Sequence, residues 1–364
     1  MPWEHGSILT LPSFDPSADA EPAPWAGAPL YGSGRAALVA LLRHGRATHG
    51  WRRLLVPAYL CQEVVAAARR EIPVVAYPDS PLSPAAAMSS TPDDLAPDES
   101  SFLTETGDAV LIVNTLGLRA RGSLAPPPGV FTIEDHTHDP WSPWCQQSSA
   151  DYALVALRKT LPLPDGGALW SPRGHALPGA PQRSTEHEAL AERQLAAQLL
   201  KALYLRGHAI DKQTYLRLAA EAEAGIAEGE PVAMSRAGEA LLPSFPALRW
   251  RERRRLSFEH GAEQLRAPLD ELGHQLLLPA PGATSFGLTV CFASGEARDQ
   301  VRRALIERAV YPAILWDLSA PALPLDERVV ALSRRCFTLH CDYRSTPQDI
   351  DRVAEHLLTA ARAC

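Results

Sequence analysis

The first half of the chain alternates between helical and strand-like segments. Residues 34–43 place apolar side chains at helical spacing, directly after a Gly-Ser-Gly turn. Three later runs are apolar and bounded by turn residues, as buried parallel strands are: AVLIVNTLG (109–117), GVFTIED (129–135) and DYALVALRK (151–159). Strands that alternate with helices over residues 30–170 predict an α/β fold with a mostly parallel central sheet.

The second half is strongly helical over residues 185–225 and then returns to alternation. The order strand, helix, strand, helix is predicted for TSFGLTVCF, GEARDQVRRALIERAV, CFTLHCDY and TPQDIDRVAEHLLTAARA. We therefore expect a Pro-rich N-terminal arm (1–30), a large domain (31–245) and a smaller C-terminal α/β domain (246–364). The arginine run at 251–255 is interpreted as a solvated helix face.

Composition is that of an ordinary globular protein, with 46% hydrophobic and 21% charged residues. The net charge of −7 and the lack of a basic tract predict no nucleic-acid partner. No apolar run reaches the length of a membrane span, and MPWEHGSILT lacks the pattern of a secretion signal. We expect a cytoplasmic protein without a membrane partner. The six cysteines are scattered, which predicts neither a disulfide framework nor a zinc site.

Lysine is scarce, so any chemistry that needs an amine has only three candidates: Lys159, Lys201 and Lys212. Lys159 ends an apolar, strand-like run and precedes a loop rich in Pro and Gly. Burial and the neighbouring Arg158 would both lower the pKa of Lys159 and free its amine as a nucleophile. A lysine that extends from the edge of a sheet into water explains the same pattern equally well.

Two histidines alternate with acidic residues in IEDHTHDP (133–140), which first suggests a metal site. His136 and His138 would project to one side of a strand. Zinc needs a third or fourth rigid ligand, however, and nothing nearby repeats the pattern. We therefore expect no metal, and the residues are interpreted either as structural polar groups or as neighbours of a cofactor.

The turn Gly32-Ser33-Gly34-Arg35-Ala36-Ala37 leads into a helix, so it is either a plain helix cap or a site for an anion. Taken with Asp135 and Lys159 at two strand ends, it supplies what pyridoxal 5'-phosphate (PLP) requires. The turn would hold the phosphate, the carboxylate would face the pyridine nitrogen, and the lysine would form the Schiff base. Ligands of open α/β sheets bind beyond the carboxyl ends of the strands, where both side chains would lie.

Four segments resemble the DegT/DnrJ/EryC1/StrS family of fold-type-I PLP enzymes, which is best known for sugar aminotransferases. They are GSGRAAL, LVPAYLCQEV, FTIEDHTHDP and LRKTLPLPDGG. The resemblance implies that Lys159 forms the Schiff base, that Asp135 faces the pyridinium and that His138 contacts the 3′-oxygen of the cofactor. It also places the following residues near the phosphate: Ser33, Gly34, Arg35 and Ala36.

The chain departs from the family pattern at several positions. Cys61 stands where the family has an aromatic ring over the cofactor, and Tyr59 is the candidate replacement. The phosphate-binding serine before the lysine is missing, and Arg158 or Arg35 is expected to supply that contact instead. The family segment that reaches the partner subunit is echoed only by Ser235-Arg236.

The implied function is a PLP-dependent aminotransferase that moves an amino group from an amino-acid donor to a keto or aldehyde acceptor, such as a sugar or a secondary-metabolite intermediate. The resemblance also implies the aspartate-aminotransferase-like fold and a homodimer with shared active sites. The candidate substrate residues are Trp316, His340 and Arg344, the last for a carboxylate. Two alternatives stay open: a PLP dehydratase, racemase or decarboxylase, and a non-catalytic binding or regulatory protein.

Overall fold

The computed structural model describes residues 2–12, 22–82, 104–122, 126–227 and 230–364. Its strands are β1 (His5–Gly6), β2 (Leu30–Tyr31), β3 (Arg53–Pro57), β4 (Val74–Tyr77), β5 (Asp108–Val113), β6 (Phe131–Asp135), β7 (Tyr152–Ala156), β8 (Gly167–Trp170), β9 (Gln275–Leu276), β10 (Gly287–Cys291), β11 (Val310–Tyr311) and β12 (Cys336–His340). Its α-helices are α1 (Gly34–His49), α2 (Gln62–Arg69), α3 (Pro143–Gln146), α4 (Thr185–Leu205), α5 (Lys212–Ala227), α6 (Arg236–Leu241), α7 (Ala247–Glu271), α8 (Gly295–Glu307), α9 (Glu327–Arg335) and α10 (Pro347–Ala361). Within these ranges no helix is both long and apolar enough to cross a membrane.

The large sheet has seven strands in the order β2-β8-β7-β6-β5-β3-β4. Strands β3 to β7 run parallel to one another, whereas β8 pairs antiparallel with β7 and β2 pairs antiparallel with β8 at one edge. The predicted α/β class with a mostly parallel sheet is confirmed. The carboxyl ends of the parallel strands meet at one edge of such a sheet, and the polar ends of β6 and β7 therefore come together there.

The central strands form where the sequence is continuously apolar. All six residues of β5 are buried, as expected for a strand covered on both faces. The predicted run 151–159 is shorter as a strand, because β7 ends at Ala156 and a single 3-10 turn follows at Leu157–Lys159. The N–H of Leu157 donates to the carbonyl of Gly166 at 3.1 Å and closes this turn against the next loop. Lys159 consequently lies just beyond the carboxyl end of β7.

Helix α1 packs its apolar face on the large sheet and starts at the edge where the parallel strands end. Ser33 caps the helix, since its Oγ accepts the N–H of Ala36 at 3.0 Å. Gly50 follows the last residue of the helix, and its φ of 66° is the left-handed conformation common at helix ends. The predicted helix at 34–43 is thus present and extends to His49.

The C-terminal part builds a second, smaller antiparallel sheet in the order β12-β10-β9, covered by α7, α8 and α10. This agrees with the strands and helices expected there. The start of the chain joins this part, because β1 pairs in parallel with β11. The domain boundaries at residues 30 and 245 stay predictions.

Helices α4 and α5 form a helical hairpin that is held by the N-terminal segment. The carboxylate of Glu4 lies 3.0 Å from Nζ of Lys201 and 2.6 Å from Nζ of Lys212, so one acidic residue binds both helices. Lys201 also donates to the carbonyls of Gly6 at 3.0 Å and Ile8 at 2.9 Å. These contacts seat the helical hairpin against residues 4–8.

Candidate active site

Asp135 is the last residue of β6, and its carboxylate is fixed by the loop that follows. Its Oδ1 accepts the N–H of Thr137 at 2.8 Å, while Oγ1 of Thr137 accepts the N–H of Ala156 at 2.9 Å. The two bonds hold the loop after β6 against the end of β7. Burial raises the pKa of Asp135 despite the opposing hydrogen bonds from Thr137, so a nearby cation would stabilise its charged form.

Lys159 presents an amine without a protein partner. Among the described residues, nothing accepts a hydrogen bond from its Nζ or forms an ion pair with it, and the residue is exposed within the cavities that it lines. Burial lowers the pKa of Lys159, and the charge of Arg158 lowers it further, whereas Glu223 and Cys61 oppose the shift. A lowered pKa increases the neutral fraction of the amine, which is the nucleophilic form.

Asp135 and Lys159 line the same space, which we call the inner cleft and which measures about 80 Å³. It opens into a larger cavity of about 480 Å³, the outer chamber. The residues that line both spaces are His138, Arg158, Lys159 and Trp316. The sequence placed an amine and a carboxylate at neighbouring strand ends, and the structure brings them to one continuous cavity.

Ser33, Gly34 and Arg35 line the inner cleft at the first turn of α1, where a helix offers unpaired N–H groups and a positive end. A Cβ on Gly34 would lie 2.9 Å from Cβ of Ala156, and a Cβ on Gly167 would lie 2.5 Å from the backbone nitrogen of Gly34. Both glycines are therefore needed for this close approach. Ala36, which was expected here too, is buried in the core and does not line the cleft.

The loop before β8 is held by Asp165, whose carboxylate is fully buried. It lies 2.8 Å from Nε2 of His187 and accepts hydrogen bonds from the backbone N–H of Ser235 at 2.7 Å and from its hydroxyl at 2.8 Å. Ser235, which echoes a family segment that reaches the partner subunit, thus bonds within its own chain. These contacts hold the loop before β8, and the N–H of Gly166 in this loop donates to the carbonyl of Gly32, just before α1, at 3.0 Å.

The two expected phosphate ligands, Arg35 and Arg158, both line the inner cleft but already bind carboxylates. Arg158 forms a bidentate ion pair with Glu223 of the helical hairpin, in which Nη2 donates to Oε1 at 2.7 Å. Arg35 pairs with Glu63, and its Nη2 lies 3.5 Å from the same Glu223. Burial raises the pKa of Glu223, but Arg158 outweighs burial and holds this pKa below its usual value.

His138 lies between the inner cleft and the outer chamber and is held by backbone groups. Its Nδ1 is 3.2 Å from the N–H nitrogen of Leu116 and 3.3 Å from the carbonyl oxygen of Asn114. The ring packs against Phe286 and Trp316, with centroids 5.0 Å and 5.5 Å away. Burial lowers the pKa of His138 to about 3, so its ring is neutral at pH 7.

Trp316 supplies the aromatic ring of the inner cleft, next to Cys61. Tyr59, the expected replacement for the missing aromatic, lines neither cavity. It is buried beneath Trp316, with a centroid distance of 5.9 Å, and its hydroxyl donates to the carbonyl of Leu315 at 2.8 Å. The prediction for Tyr59 is wrong, because its ring lies in the core behind the tryptophan.

The remaining polar groups of the IEDHTHDP segment have protein partners. Nε2 of His136 lies 3.0 Å from the carboxylate of Glu134, and its ring contacts Trp144 at a centroid distance of 4.9 Å. Asp139 accepts hydrogen bonds from Arg251 and Arg254 of α7. Across the part of the chain that the structure describes, no cluster of three His, Cys, Asp or Glu side chains could hold a metal ion.

Two of the three candidate substrate residues line the outer chamber, namely Trp316 and His340. Burial lowers the pKa of His340 to about 4. Arg344 does not line either cavity, since its guanidinium is bound to Asp342 at 2.6 and 2.8 Å and to the carbonyl of Ile8 at 2.8 Å. The prediction that Arg344 grips a substrate carboxylate is therefore wrong, because that charge is already neutralised.

The solvated-face interpretation of the arginine run is wrong for Arg251 and Arg254, which turn inward and line the outer chamber. It is right for Arg255, which is half-exposed between Glu252 and Glu259. The spacing of the charged residues along the helix could have separated the inward arginines from the exposed one. Arg255 has carboxylates three and four positions away on its own helix, whereas Arg251 and Arg254 share one face and find their acid, Asp139, in the motif at 133–140.

Comparison with known proteins adds the fold family. No protein-family model and no curated protein matches the sequence. The chain is similar to Helicobacter pylori PseC, an aminotransferase involved in the biosynthesis of pseudoaminic acid, with a TM-score of 0.59 over 100% of both chains at 10% identity. It is also similar to DesI, solved in the presence of its TDP-sugar product, with a TM-score of 0.55 over 93% of this chain and 82% of that one at 18% identity.

A third similar structure is 3-amino-5-hydroxybenzoic acid synthase, with a TM-score of 0.57 over 96% of this chain and 90% of that chain at 16% identity. The chain has the fold of the fold-type-I PLP-dependent aminotransferases. This confirms the expected aspartate-aminotransferase-like architecture. At identities this low the likeness establishes the fold, and the chemistry of the site has to be argued from the residues.

Proposed function

We propose that the protein is a PLP-dependent aminotransferase that moves an amino group from an amino-acid donor to a keto or aldehyde acceptor. The observation that carries the proposal is the inner cleft, which Lys159, with its unpartnered amine, and Asp135, with its half-buried carboxylate, line together. Desolvation and the charge of Arg158 lower the pKa of Lys159, which suits its amine to act as a nucleophile. An amine and a carboxylate on one cleft match the two ends of the PLP ring system.

The residues present fit this cofactor. Lys159 would hold it covalently, Asp135 would face the ring nitrogen, and Ser33 with Gly34 would receive the phosphate at the start of α1. His138 and Trp316 would contact the ring from the outer side. When bound, PLP supplies an electron sink for the substrate carbon that loses its proton.

The side chains of the protein would then bind, orient and move protons. Nζ of Lys159 would take a proton from one substrate carbon and return it to another site, a task for which a lowered pKa suits an amine near neutral pH. Asp135 would keep its negative charge opposite a positively charged ring nitrogen, which offsets the burial that raises its pKa. The helical hairpin would cover the cavity and limit the entry of water, since Glu223 and Leu216 of α5 line it.

Absorption spectroscopy of the purified chain with added PLP tests this proposal. We expect a yellow protein whose covalent adduct is trapped by borohydride reduction, with loss of the visible band, and is localised to Lys159 by peptide mass spectrometry. Addition of glutamate or glutamine should bleach the band and leave pyridoxamine phosphate on the protein, which distinguishes transamination from other PLP reactions. A protein that stays colourless in excess PLP would instead support a non-catalytic role.

A specific prediction concerns Glu223, whose carboxylate binds both arginines of the inner cleft. We expect Glu223→Gln to bind inorganic phosphate and PLP about tenfold more tightly, because a negative charge is removed and the arginines are released. Dissociation constants from tryptophan fluorescence would measure this. Glu221→Gln, a change in the exposed i,i+4 partner of Arg217 on the same helix, is the matched control. Weaker binding by Glu223→Gln would mean that the carboxylate is needed to position the arginines.

Several finer points belong to the same proposal. We propose a sugar or secondary-metabolite intermediate as the general acceptor class, in line with the names of the similar structures. A homodimer with shared active sites, a cytoplasmic location and membership of the DegT/DnrJ/EryC1/StrS family stay predictions. Size-exclusion chromatography with light scattering would decide the first of these.

A further inference from the structure

The charges on α7 do not balance at the wall of the outer chamber. The carboxylate of Asp139 is fully buried and accepts two hydrogen bonds from Arg251, at 2.7 and 2.8 Å. Arg254 donates to the same carboxylate through Nη2 at 2.9 Å. One negative charge therefore faces two positive charges, and the bidentate contact with Arg251 already uses both oxygens of the Asp139 carboxylate.

Among the described residues, Asp139 is the only carboxylate that bonds to Arg254. Asp342, which also lines the chamber, is bound by Arg344 at 2.6 and 2.8 Å. Arg254 is only 6% exposed, and its Nε is buried without a hydrogen-bond partner. Burial lowers the pKa of Arg254, as expected for a cation with incomplete compensation. A buried guanidinium that shares its single carboxylate with a second arginine, on a cavity wall, is a site for an anion.

Much of the remaining chamber wall is apolar and aromatic. Trp250 and Tyr343 are stacked at a centroid distance of 4.2 Å with an interplanar angle of 19°. Further apolar walls come from Trp141, Phe286, Leu161, Leu163 and Leu216. Two amides of α4 line the chamber as well: Gln198 donates to the carbonyl of Leu163 at 3.1 Å, whereas Gln194 is 9% exposed and has no hydrogen-bond partner within the described ranges. Besides the amine of Lys159, which the proposed function assigns to the cofactor, the chamber thus offers Arg254 and the amide of Gln194 to a ligand with an apolar body.

We propose that Arg254 binds the carboxylate of a compact substrate with an aromatic or bulky apolar body, and that Gln194 binds a second polar group of it. The substrate class is a monocarboxylate such as an aromatic 2-oxo acid or the matching amino acid. That this ligand is a substrate rests on the proposed function, whereas its binding does not. A nucleotide diphosphate fits poorly, because its two phosphates need several cations and the other arginines, Arg158 and Arg251, already bind carboxylates.

The test measures binding to the full chain, without PLP, by isothermal titration calorimetry. The probe is 3-phenylpropionate, which has the carboxylate and ring but no reactive amine or ketone, and 3-phenylpropanamide is its uncharged counterpart. We expect the carboxylate to bind at least about tenfold more tightly than the amide, in keeping with a charge-assisted hydrogen bond. UDP-glucose at the same concentrations should not displace it.

Substitutions test whether Arg254 itself binds the carboxylate of the probe. Arg254→Gln should weaken 3-phenylpropionate at least about tenfold and leave the amide unchanged, Arg254→Lys should recover part of the loss, and Arg255→Gln should bind as the wild type does. Equal binding of acid and amide by the wild type, unchanged binding by Arg254→Gln, or displacement by UDP-glucose would each overturn the inference. If Arg254→Gln does not fold by circular dichroism, the acid–amide comparison and Arg254→Lys decide.

The outcome is independent of the cofactor. If the chain binds 3-phenylpropionate through Arg254 but never takes up PLP, the anion site is supported and the proposed function is contradicted. If the chain becomes yellow with PLP but does not distinguish the acid from the amide, the proposed function is supported and the anion site is contradicted. Gln194→Leu, which keeps the volume of the side chain, should weaken 2-oxo-3-phenylpropionate more than 3-phenylpropionate if the amide binds the second polar group.

Discussion

Replacing Lys159 with alanine is expected to abolish the visible band that the wild type acquires with PLP, and to lower the rate of amino transfer by at least about a thousandfold. The reason is that the amine of Lys159 would serve twice, as the covalent anchor and as the group that moves the proton. No other lysine can replace it, because Lys201 and Lys212 are bound to Glu4 and line neither cavity.

The measurements for Lys159→Ala are absorption spectra during PLP titration and single-turnover rates with the best amino donor of the wild type. Lys212→Ala is the control, since it removes a different amine and should stay yellow. Retention of a borohydride-fixable adduct in Lys159→Ala would place the anchor elsewhere and refute the site. The lowered pKa of Lys159 adds a pH signature: attachment needs the neutral amine, so uptake of PLP should persist to lower pH than for an exposed lysine.

Asp135→Asn is expected to keep the yellow colour but to slow amino transfer by about a hundredfold or more, because an amide cannot hold a positive charge on the ring nitrogen as a carboxylate does. The asparagine can still accept the N–H of Thr137, so the loop after β6 should keep its shape. The expected signature is therefore a loss in the rate constant with little loss in PLP affinity.

Glu134→Gln is the matched control for Asp135→Asn, because Glu134 is the adjacent residue of β6 and binds His136 and Ser148 instead of lining the inner cleft. It should leave the rate of amino transfer within a few-fold of the wild type. Stopped-flow absorption with the wild-type donor measures both variants. An Asp135→Asn protein as fast as the wild type would remove Asp135 from its proposed position opposite the ring nitrogen.

The sequence could predict the inner cleft because its main groups come from consecutive strand ends. Asp135 and Lys159 each follow an apolar run, and parallel strands bring such ends to one edge. The positions of Ser33 and Gly34 could be predicted for a similar reason, since a glycine turn before a helix marks its N-terminus. Local patterns are enough when the fold class dictates where they meet.

The outer chamber could not be predicted in the same way, because its polar groups lie on helix faces whose direction depends on tertiary packing. Glu223 and Gln194 belong to the helical hairpin, and nothing in their local sequence indicates which face turns toward the arginines of the cleft. Arg254 was assigned to solvent since its acid, Asp139, is distant in the sequence. The prediction for Tyr59 was wrong because its position in the sequence does not fix the direction of its ring, which points into the core.

The pairing of β1 with β11 has a consequence for the order in which this protein is completed. Ser7 and Ile8, directly after β1, line the outer chamber, although a ribosome makes them before the strands of the large sheet. They gain their strand partner only when Val310 and Tyr311 have been synthesised. That wall of the chamber is therefore added late, after the parallel sheet that carries Asp135 and Lys159 is already available, and newly made chains should form the inner cleft before the outer chamber is closed.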